Sequence, residues 1–447
     1  MIPSPATPPP SSPAAPVRPI RQAATLIVLR DGAQGLETLM LRRIEKANDQ
    51  NSGASVFPGG LLDAHDRHLH ACCAGVDDRA ASTRLSIAQG GLDYYAASVR
   101  ECFEEAGILF AHDAQQRLVD LDSLGAERLA ALRGAAAAGT DALLAMCADQ
   151  GWQLAMDRLN YFAHWLTPPG MPRRFDTRFF IAALPPGQNV QIDQVEIAEH
   201  AWLRPQDAID PARRLKLMNV TRRILEQLAT FGSVQECMAH AGTLRDIPLT
   251  MPRVAGGPGA PRPVNMEEPA YAELGYVDPD GRGHGRHTLE GGQVLALSPR
   301  VVRVTASEGE GPGAHSYFVG SGNGDGPWAL IDPQPADAAH FEALRAAAPG
   351  PVRWVLSTRG ELADAAAQAL RRAWPEAEHV RLVPGDELRS GELHLRVLSP
   401  GGDVQARGFL LLPDGLFFTG ESPWSAEEIP GQAAWLAPAR GFLRPAR

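Results

Sequence analysis

Two consecutive α/β domains are predicted by this sequence, and three observations predict them. Strand-like and helical segments mix over residues 21–240. A stretch rich in Gly and Pro interrupts the pattern at 241–290, and short apolar strands alternate with helices again over 291–447. A chain of 447 residues is also too long for one ordinary core.

The first 20 residues contain eight prolines and no apolar run, so a disordered Pro-rich tail is expected there. Ala23–Arg30 and Glu37–Arg43 read as strands of a hairpin that turns at Asp31–Gly35. Phe57–Gly60 (FPGG) reads as a tight turn. Leu92–Leu109 reads as a helix with Val99, Phe103 and Ala106 on its buried stripe and Gly107 at its end. Residues 111–160 are rich in alanine and expected to be helical. Arg174–Leu184 follows a Pro-Pro-Gly turn as a strand, and Pro205–Leu228 reads as helical. In the second domain, strands are expected at Val301–Thr305, Tyr317–Gly320, Trp328–Ile331, Val352–Ser357, Leu393–Leu398 and Gly408–Thr419. Helices are expected at Asp337–Ala348 and Leu362–Trp374.

Hydrophobic residues at 44% and charged residues at 21% describe a soluble globular chain. A net charge of −10 argues against a nucleic-acid surface, and no run approaches the ~20 apolar residues that span a bilayer. Five cysteines, two of them the neighbours Cys72 and Cys73, suit a reducing compartment, and the cytoplasm is the expected location. On so acidic a chain, a polyanionic substrate needs a bound cation or a local basic patch.

The chemistry is concentrated in Arg100-Glu101-Cys102-Phe103-Glu104-Glu105-Ala106-Gly107. Glu101, Glu104 and Glu105 stand at i, i+3 and i+4, within an arc of about 100° on one helix face. Three like charges so placed repel unless a cation joins them, and hard oxygen ligands select Mg²⁺ or Mn²⁺. Arg100 is positioned to lock the carboxylates by charge-assisted hydrogen bonds. A solvated acidic face is the simpler account of paired glutamates, but it leaves the Arg, the third carboxylate, the helix-ending Gly107 and the preceding FPGG unexplained.

FPGG followed by RECFEEAGI resembles the Nudix hydrolases, whose box is written Gx5Ex7REUxEExGU. The tail REUxEExGU matches from Arg100 to Ile108, with Cys102 at the apolar position. The resemblance implies a mixed-sheet α/β/α sandwich over residues 21–240. It also implies that Glu101, Glu104 and Glu105 bind the metal, with Arg100 as a catalytic partner and Gly59, Gly60 and Gly107 shaping the substrate loop. The front of the box departs from the pattern. Asp66 stands where Gx5E, counted from Gly60, expects Glu, and residues 67–99 fill a gap of seven, an insertion of 26. That insertion resembles the peroxisomal-type coenzyme A diphosphatase branch, and a loop shaping the substrate pocket is expected there. Its His65, His68, His70, Cys72 and Cys73 are near enough in sequence for zinc but match no closed ligand spacing. Downstream, Glu196 and Glu199 are candidates for the general base, and Arg43, Arg173 and Arg174 for contacts to phosphate.

Residues 300–424 resemble a metallo-β-lactamase-like αββα domain through YFVG, WALIDP and FFTG. Where that family carries THxHxDH this chain reads Thr358-Arg359-Gly360-Glu361-Leu362-Ala363-Asp364, and TPGH becomes Ser399-Pro400-Gly401-Gly402. Glu421 replaces the aspartate after Thr-Gly. A degenerate domain without its metal ligands is expected, with dimerisation, ligand binding or covering the first domain's pocket left open as its role. Together these resemblances imply a hydrolase of a nucleoside diphosphate derivative, with coenzyme A or an acyl-coenzyme A favoured over nucleotide sugars and dinucleotides. A non-catalytic ligand sensor on the same fold is the competing expectation, and an active hydrolase in the second domain a third. Neither nucleic acid nor membrane is expected as a partner, and a homodimer is left open.

Overall fold

The computed structural model describes residues 19–47, 51–136, 138–322, 326–334, 337–360, 364–402 and 406–447. The expected disordered tail falls almost wholly outside them. The chain forms two compact units: Arg18–Thr167 with Pro172–Met251, and Pro168–Met171 with Pro252–Arg447.

The first unit runs β1 (Ile20–Gly32), β2 (Gly35–Arg43), β3 (Ser55–Val56), β4 (Gly59–Leu61), β5 (Cys73–Ala74), α1 (Asp78–Leu85), α2 (Gly91–Ala106) and β6 (Ala111–His112). It continues through α3 (Ala126–Ala136), α4 (Thr140–Gln150), β7 (Gln153–Ala155), β8 (Asn160–Leu166), β9 (Arg174–Ala183) and β10 (Ile197–Leu203). The unit then closes with α5 (Pro205–Ile209), α6 (Asn219–Leu228), α7 (Val234–Thr243) and β11 (Leu249–Thr250). Its eight-stranded sheet has the order β10-β2-β1-β9-β8-β11, with β3 on β2 and β4 on β1. The sheet is mixed, because β1 is antiparallel to β2 but parallel to β9. Side chains of β1 alternate between two cores. Ala24, Leu26 and Val28 pack with Val99, Phe103 and Ala106 of α2, while Ile27 and Leu29 pack with Ile224, Leu225 and Leu228 of α6 and with Cys237 of α7. Helices on both faces make this an α/β/α sandwich.

Three expectations for this unit change. FPGG is not only a turn, since Gly59–Leu61 pairs antiparallel with Ala23–Thr25 as β4. Residues 111–160 hold the helices α3 and α4 but also β6 and β7, which build a small sheet with β5. The insertion 67–99 is not a loop: it folds into a 3₁₀ turn at Asp66–Cys72, β5, α1 and the start of α2. Its work is to brace α2. The Asp78 carboxylate accepts from the backbone N–H groups of Gly90 and Leu92 (3.1 and 3.0 Å), placing negative charge at the helix start. Gly91 lies so close to α1 that a Cβ there would fall 2.2 Å from the Ser82 nitrogen.

In the second unit, the hairpin β12 (Arg253–Ala255) and β13 (Arg262–Val264) and helix α8 (Tyr271–Val277) occupy the stretch expected as a linker. The 241–290 linker is therefore corrected: the end of α7 and β11 belong to the first unit, and residues from 252 onward are folded into the second. Glu273 of α8 explains why that segment is held. It forms a buried bidentate pair with Arg303 (2.6 and 2.9 Å) and accepts from the Leu443 N–H (2.7 Å).

Beyond α8 the chain runs β14 (Val294–Ser298), β15 (Val301–Glu308), β16 (Gly311–Gly320), β17 (Trp328–Ile331), α9 (Ala338–Ala347), β18 (Val352–Leu356), α10 (Asp364–Ala373) and β19 (Glu378–His379). The second sheet follows as β20 (Glu387–Ser390), β21 (Leu393–Leu398), β22 (Gly408–Leu411), β23 (Leu416–Gly420), β24 (Trp435–Pro438) and β25 (Arg444–Pro445). Two six-stranded sheets, β14–β19 and β20–β25, stack through Tyr317, Val319, Ile331, Leu395, Phe409 and Phe418. Leu344 of α9 and Leu370 of α10 pack on the outer face of the first sheet, and chain around Trp424 and Ile429 covers Leu410 and Phe417 on the second. The architecture of both units is mixed α/β. No helix among the described residues is long and apolar enough to cross a membrane.

Candidate active site

Helix α2 ends where Gly107 turns left-handed (φ +70°) and its N–H bonds the Phe103 carbonyl (3.0 Å), so Glu101, Glu104 and Glu105 occupy the last two turns. The helix dipole at that end disfavours carboxylates, so other groups must hold them. Arg100 does much of this. Its Nε and Nη2 donate to fully buried Asp66 (2.7 and 3.1 Å), and its Nη1 donates to Glu101 (2.9 Å) and Glu104 (3.2 Å). Asp66, the residue standing in the Gx5E position, is thus an anchor for Arg100. Glu105 accepts from the Gly59 N–H (2.9 Å) and lies 3.9 Å from Arg43, which also pairs with Glu196 at 3.3 Å.

Five carboxylates therefore share two guanidiniums. Burial raises the pKa values accordingly: Glu104 to about 7, Glu105 to about 8, and Glu101 upward, with neighbouring carboxylates adding to the effect of desolvation. Glu101 and Glu104 both accept from the same Arg100 Nη1, so a guanidinium nitrogen stands between these two carboxylates. Among the described residues no three His, Cys, Asp or Glu side chains are grouped closely enough to hold a metal ion.

A cavity of about 410 Å³ opens beside this cluster. Alternate residues of two parallel strands line it, Arg21, Ala23 and Thr25 of β1 with Phe175 and Thr177 of β9, and Arg173 just before β9 continues that series. Glu101 and Glu105 reach it past Gly59 and Gly60 of β4, together with Arg43, Asn51 and Glu196. The two glycines are needed for that approach. A Cβ on Gly60 would sit 2.4 Å from the Glu101 Oε1, and one on Gly59 would strike backbone atoms of Ala24 and Thr25 at 2.6 Å.

Of the two candidate bases, only Glu196 lines the cavity; Glu199 is exposed and paired with Arg42 (2.7 Å). Among the candidate phosphate contacts Arg43 and Arg173 line it, while Arg174 donates to the Thr167 carbonyl (3.0 Å) instead. No residue of the insertion 67–99 is among the lining residues, which corrects the expected pocket-shaping loop. The histidines at and just before its start diverge to separate carboxylates: His65 to Asp63, His68 to Asp141 and His70 to Asp93. Arg21, Thr25, Asn51, Phe175 and Thr177 were not singled out from the sequence. The period-2 alternation of Arg21, Ala23 and Thr25 beside the glycines was the available signal.

In the second unit the segment aligned with THxHxDH begins at Thr358, which donates to Asp332 through its N–H and its hydroxyl (both 2.7 Å). Arg359 pairs with Glu421, and positions 361–363 lie outside the described residues.

A mixed-sheet sandwich carrying an Arg-anchored row of glutamates over a glycine-lined cleft is a Nudix architecture, and residues 74–218 match the NUDT19 Nudix domain. The first unit carries a Nudix domain. Among related proteins, the acyl-coenzyme A diphosphatase NUDT19 of Xenopus laevis is 28% identical over 213 residues, which is 40% of this chain and 56% of that protein. The chain thus spans about half the length of the first curated relatives it matches. The crystal structure of a NUDIX hydrolase from Alicyclobacillus acidocaldarius is 25% identical, with a TM-score of 0.42, and covers 52% of this chain and 100% of its own. A beta-lactamase domain protein from Burkholderia ambifaria is 16% identical, with a TM-score of 0.26, and covers 36% of this chain and 71% of its own.

Proposed function

We propose that this protein hydrolyses the diphosphate linkage of a nucleoside diphosphate derivative, with coenzyme A or an acyl-coenzyme A as the favoured substrate. One observation carries the reading: five carboxylates share two guanidiniums at one end of a cleft, so that end is short of positive charge. The donors are desolvated carboxylate oxygens with raised pKa values, a set that fits a hard divalent cation such as Mg²⁺ or Mn²⁺. Glu101, Glu104 and Glu105 would hold it. When bound, such an ion offsets phosphate charge and lowers the pKa of an attacking water.

The chain's own residues supply the rest. Asp66 and the Leu61 carbonyl fix the Arg100 guanidinium, which orients Glu101 and Glu104. Glu196, held by Arg43 and facing the cleft, takes the proton from water. The water oxygen bonds to one phosphorus, the bridging P–O bond breaks, and the bridging oxygen leaves on the other phosphate. Coenzyme A would yield 3′,5′-ADP and 4′-phosphopantetheine. Similarity to an acyl-coenzyme A diphosphatase over 40% of the chain supports the substrate class. Five free thiols suit the reducing cytoplasm.

The test is incubation with coenzyme A and Mg²⁺ or Mn²⁺, beside nucleotide sugars and dinucleotides, with Glu104→Gln and Glu105→Gln as controls. Turnover by the wild type that both variants lose supports the reading; equal activity in all three overturns it. A ligand sensor on the same fold is favoured by one observation, the hold of Arg100 on Glu101 and Glu104. Calorimetry showing tight binding of coenzyme A without turnover would select it.

A further inference from the structure

The cleft has two ends of different character. At one, every cation is engaged: Arg100 by Asp66, Glu101 and Glu104, and Arg43 by Glu196 with Glu105 nearby. At the other lie Arg21 and Arg173, both exposed, both lining the cavity, and neither with an ion-pair partner among the described residues. The strands put them close together. β1 and β9 run parallel with Arg21 opposite Phe175, so Arg173 stands one side-chain repeat away on the same face of the neighbouring strand. Two unanswered guanidiniums side by side repel, and an anion between them relieves that repulsion.

Register also gives the spacing. Gly59, whose N–H holds Glu105, pairs with Thr25, four residues along β1 from Arg21, or about 13 Å at the rise of a strand. A diphosphate held at the glutamates does not fill both ends. Between them the cleft offers Phe175, a ring on which a flat base can stack, and the Thr177 hydroxyl.

Resting on the diphosphatase reading above, we infer that Arg21 and Arg173 form a second anion site. It reads a phosphomonoester carried elsewhere on the substrate and selects nucleoside diphosphate derivatives with that extra phosphate over those without it. Arg133, Arg174 and Arg178 do not line the cleft and take no part.

The experiment compares coenzyme A with 3′-dephospho-coenzyme A, which differ only in that phosphate, in Mg²⁺ with the full chain. The wild type is expected to favour coenzyme A by about tenfold or more in kcat/KM. Arg21→Gln with Arg173→Gln should reduce the preference to under about threefold, mainly by raising KM for coenzyme A, and Arg117→Gln, at an exposed arginine outside the cavity lining, should keep it. A wild type without preference, or a double variant that retains the full preference, overturns the inference while leaving the diphosphatase reading intact. If neither compound is turned over, that reading fails instead. Calorimetry with 3′,5′-ADP against 5′-AMP then decides the anion site, with tighter binding of 3′,5′-ADP expected and its loss in the double variant; equal affinities overturn it.

Discussion

The two units treat buried charge in opposite ways. In the first, Asp66, Glu101 and Glu104 share the one guanidinium of Arg100, and Glu105 and Glu196 share that of Arg43. In the second, the buried carboxylates have partners of their own, Asp332 the N–H and hydroxyl of Thr358 and Glu273 the Arg303 guanidinium, and the exposed Glu421 pairs with Arg359. Desolvated carboxylates with too few partners cost stability. A fold that keeps such a cluster next to a cleft does so for a ligand, whereas a carboxylate with a guanidinium of its own, such as Glu273, has no such need. The comparison supports the site proposed in the first unit.

The largest test of that contrast is Glu105→Gln. The amide oxygen still accepts from the Gly59 N–H, so the fold should stand while the negative charge is lost. We expect kcat on the diphosphate substrate to fall by about 10³, roughly 4 kcal/mol of barrier, and Glu421→Gln to change it less than twofold. Comparable losses from both variants would break the contrast.

Stability gives the next largest effect. Glu273→Gln leaves Arg303, which is 0% exposed and has no other carboxylate partner among the described residues, as an unpaired buried cation. A cost of about 3–5 kcal/mol to the second unit is expected. Asp66→Asn should cost the first unit less, about 1–3 kcal/mol, because Arg100 keeps Glu101 and Glu104. Urea titration of the two variants measures the difference, and a reversed order would show that the pairs are not what holds these segments.

Gly60→Ala is smaller again. The added methyl meets the end of the flexible Glu101 side chain rather than backbone, so the fold tolerates it while Glu101 is displaced from the cleft. A fall in kcat of about 10- to 100-fold with little change in Tm is expected. Unchanged turnover would remove Glu101 from the mechanism.

How far these features could be read from sequence differs by kind. Helix α2, its cap at Gly107 and its three glutamates were legible because spacing along one helix fixes which side chains share a face. So were most strands of the second unit, whose apolar runs are bounded by Gly and Pro. The role of Asp66 was not, since it arises from a contact 34 positions away with Arg100. Nor was the use of Gly/Pro-rich residues 253–277, where one buried Glu273–Arg303 pair outweighs a composition that reads as linker. Arg21 was hidden because a strand residue becomes a cleft residue only through the parallel pairing of β1 with β9.

The last prediction concerns pH, where the two units should respond with opposite sign. Burial raises Glu105 to about 8 and Glu104 to about 7 in the folded chain, from an ordinary value of 4.5. Between 4.5 and 8 the folded form therefore holds protons that the unfolded form has released, and stability of the metal-free first unit falls as pH rises. His315 in the second unit behaves the other way. Burial, with the nearby Arg303 charge, lowers it to about 3 from 6.5, so its contribution is present above 6.5 and lost as pH falls toward 3. Hydrogen exchange of α2 and β16 amides in EDTA at pH 5.0, 6.5 and 7.5 reads the two units separately. From 6.5 to 7.5 protection of α2 should drop by an equivalent of about 2 kcal/mol and return on adding Mg²⁺, while β16 stays level. From 5.0 to 6.5 protection of β16 should rise. A first unit whose protection does not fall with pH would mean that its carboxylates already have the partners they need, and the contrast between the units would be lost.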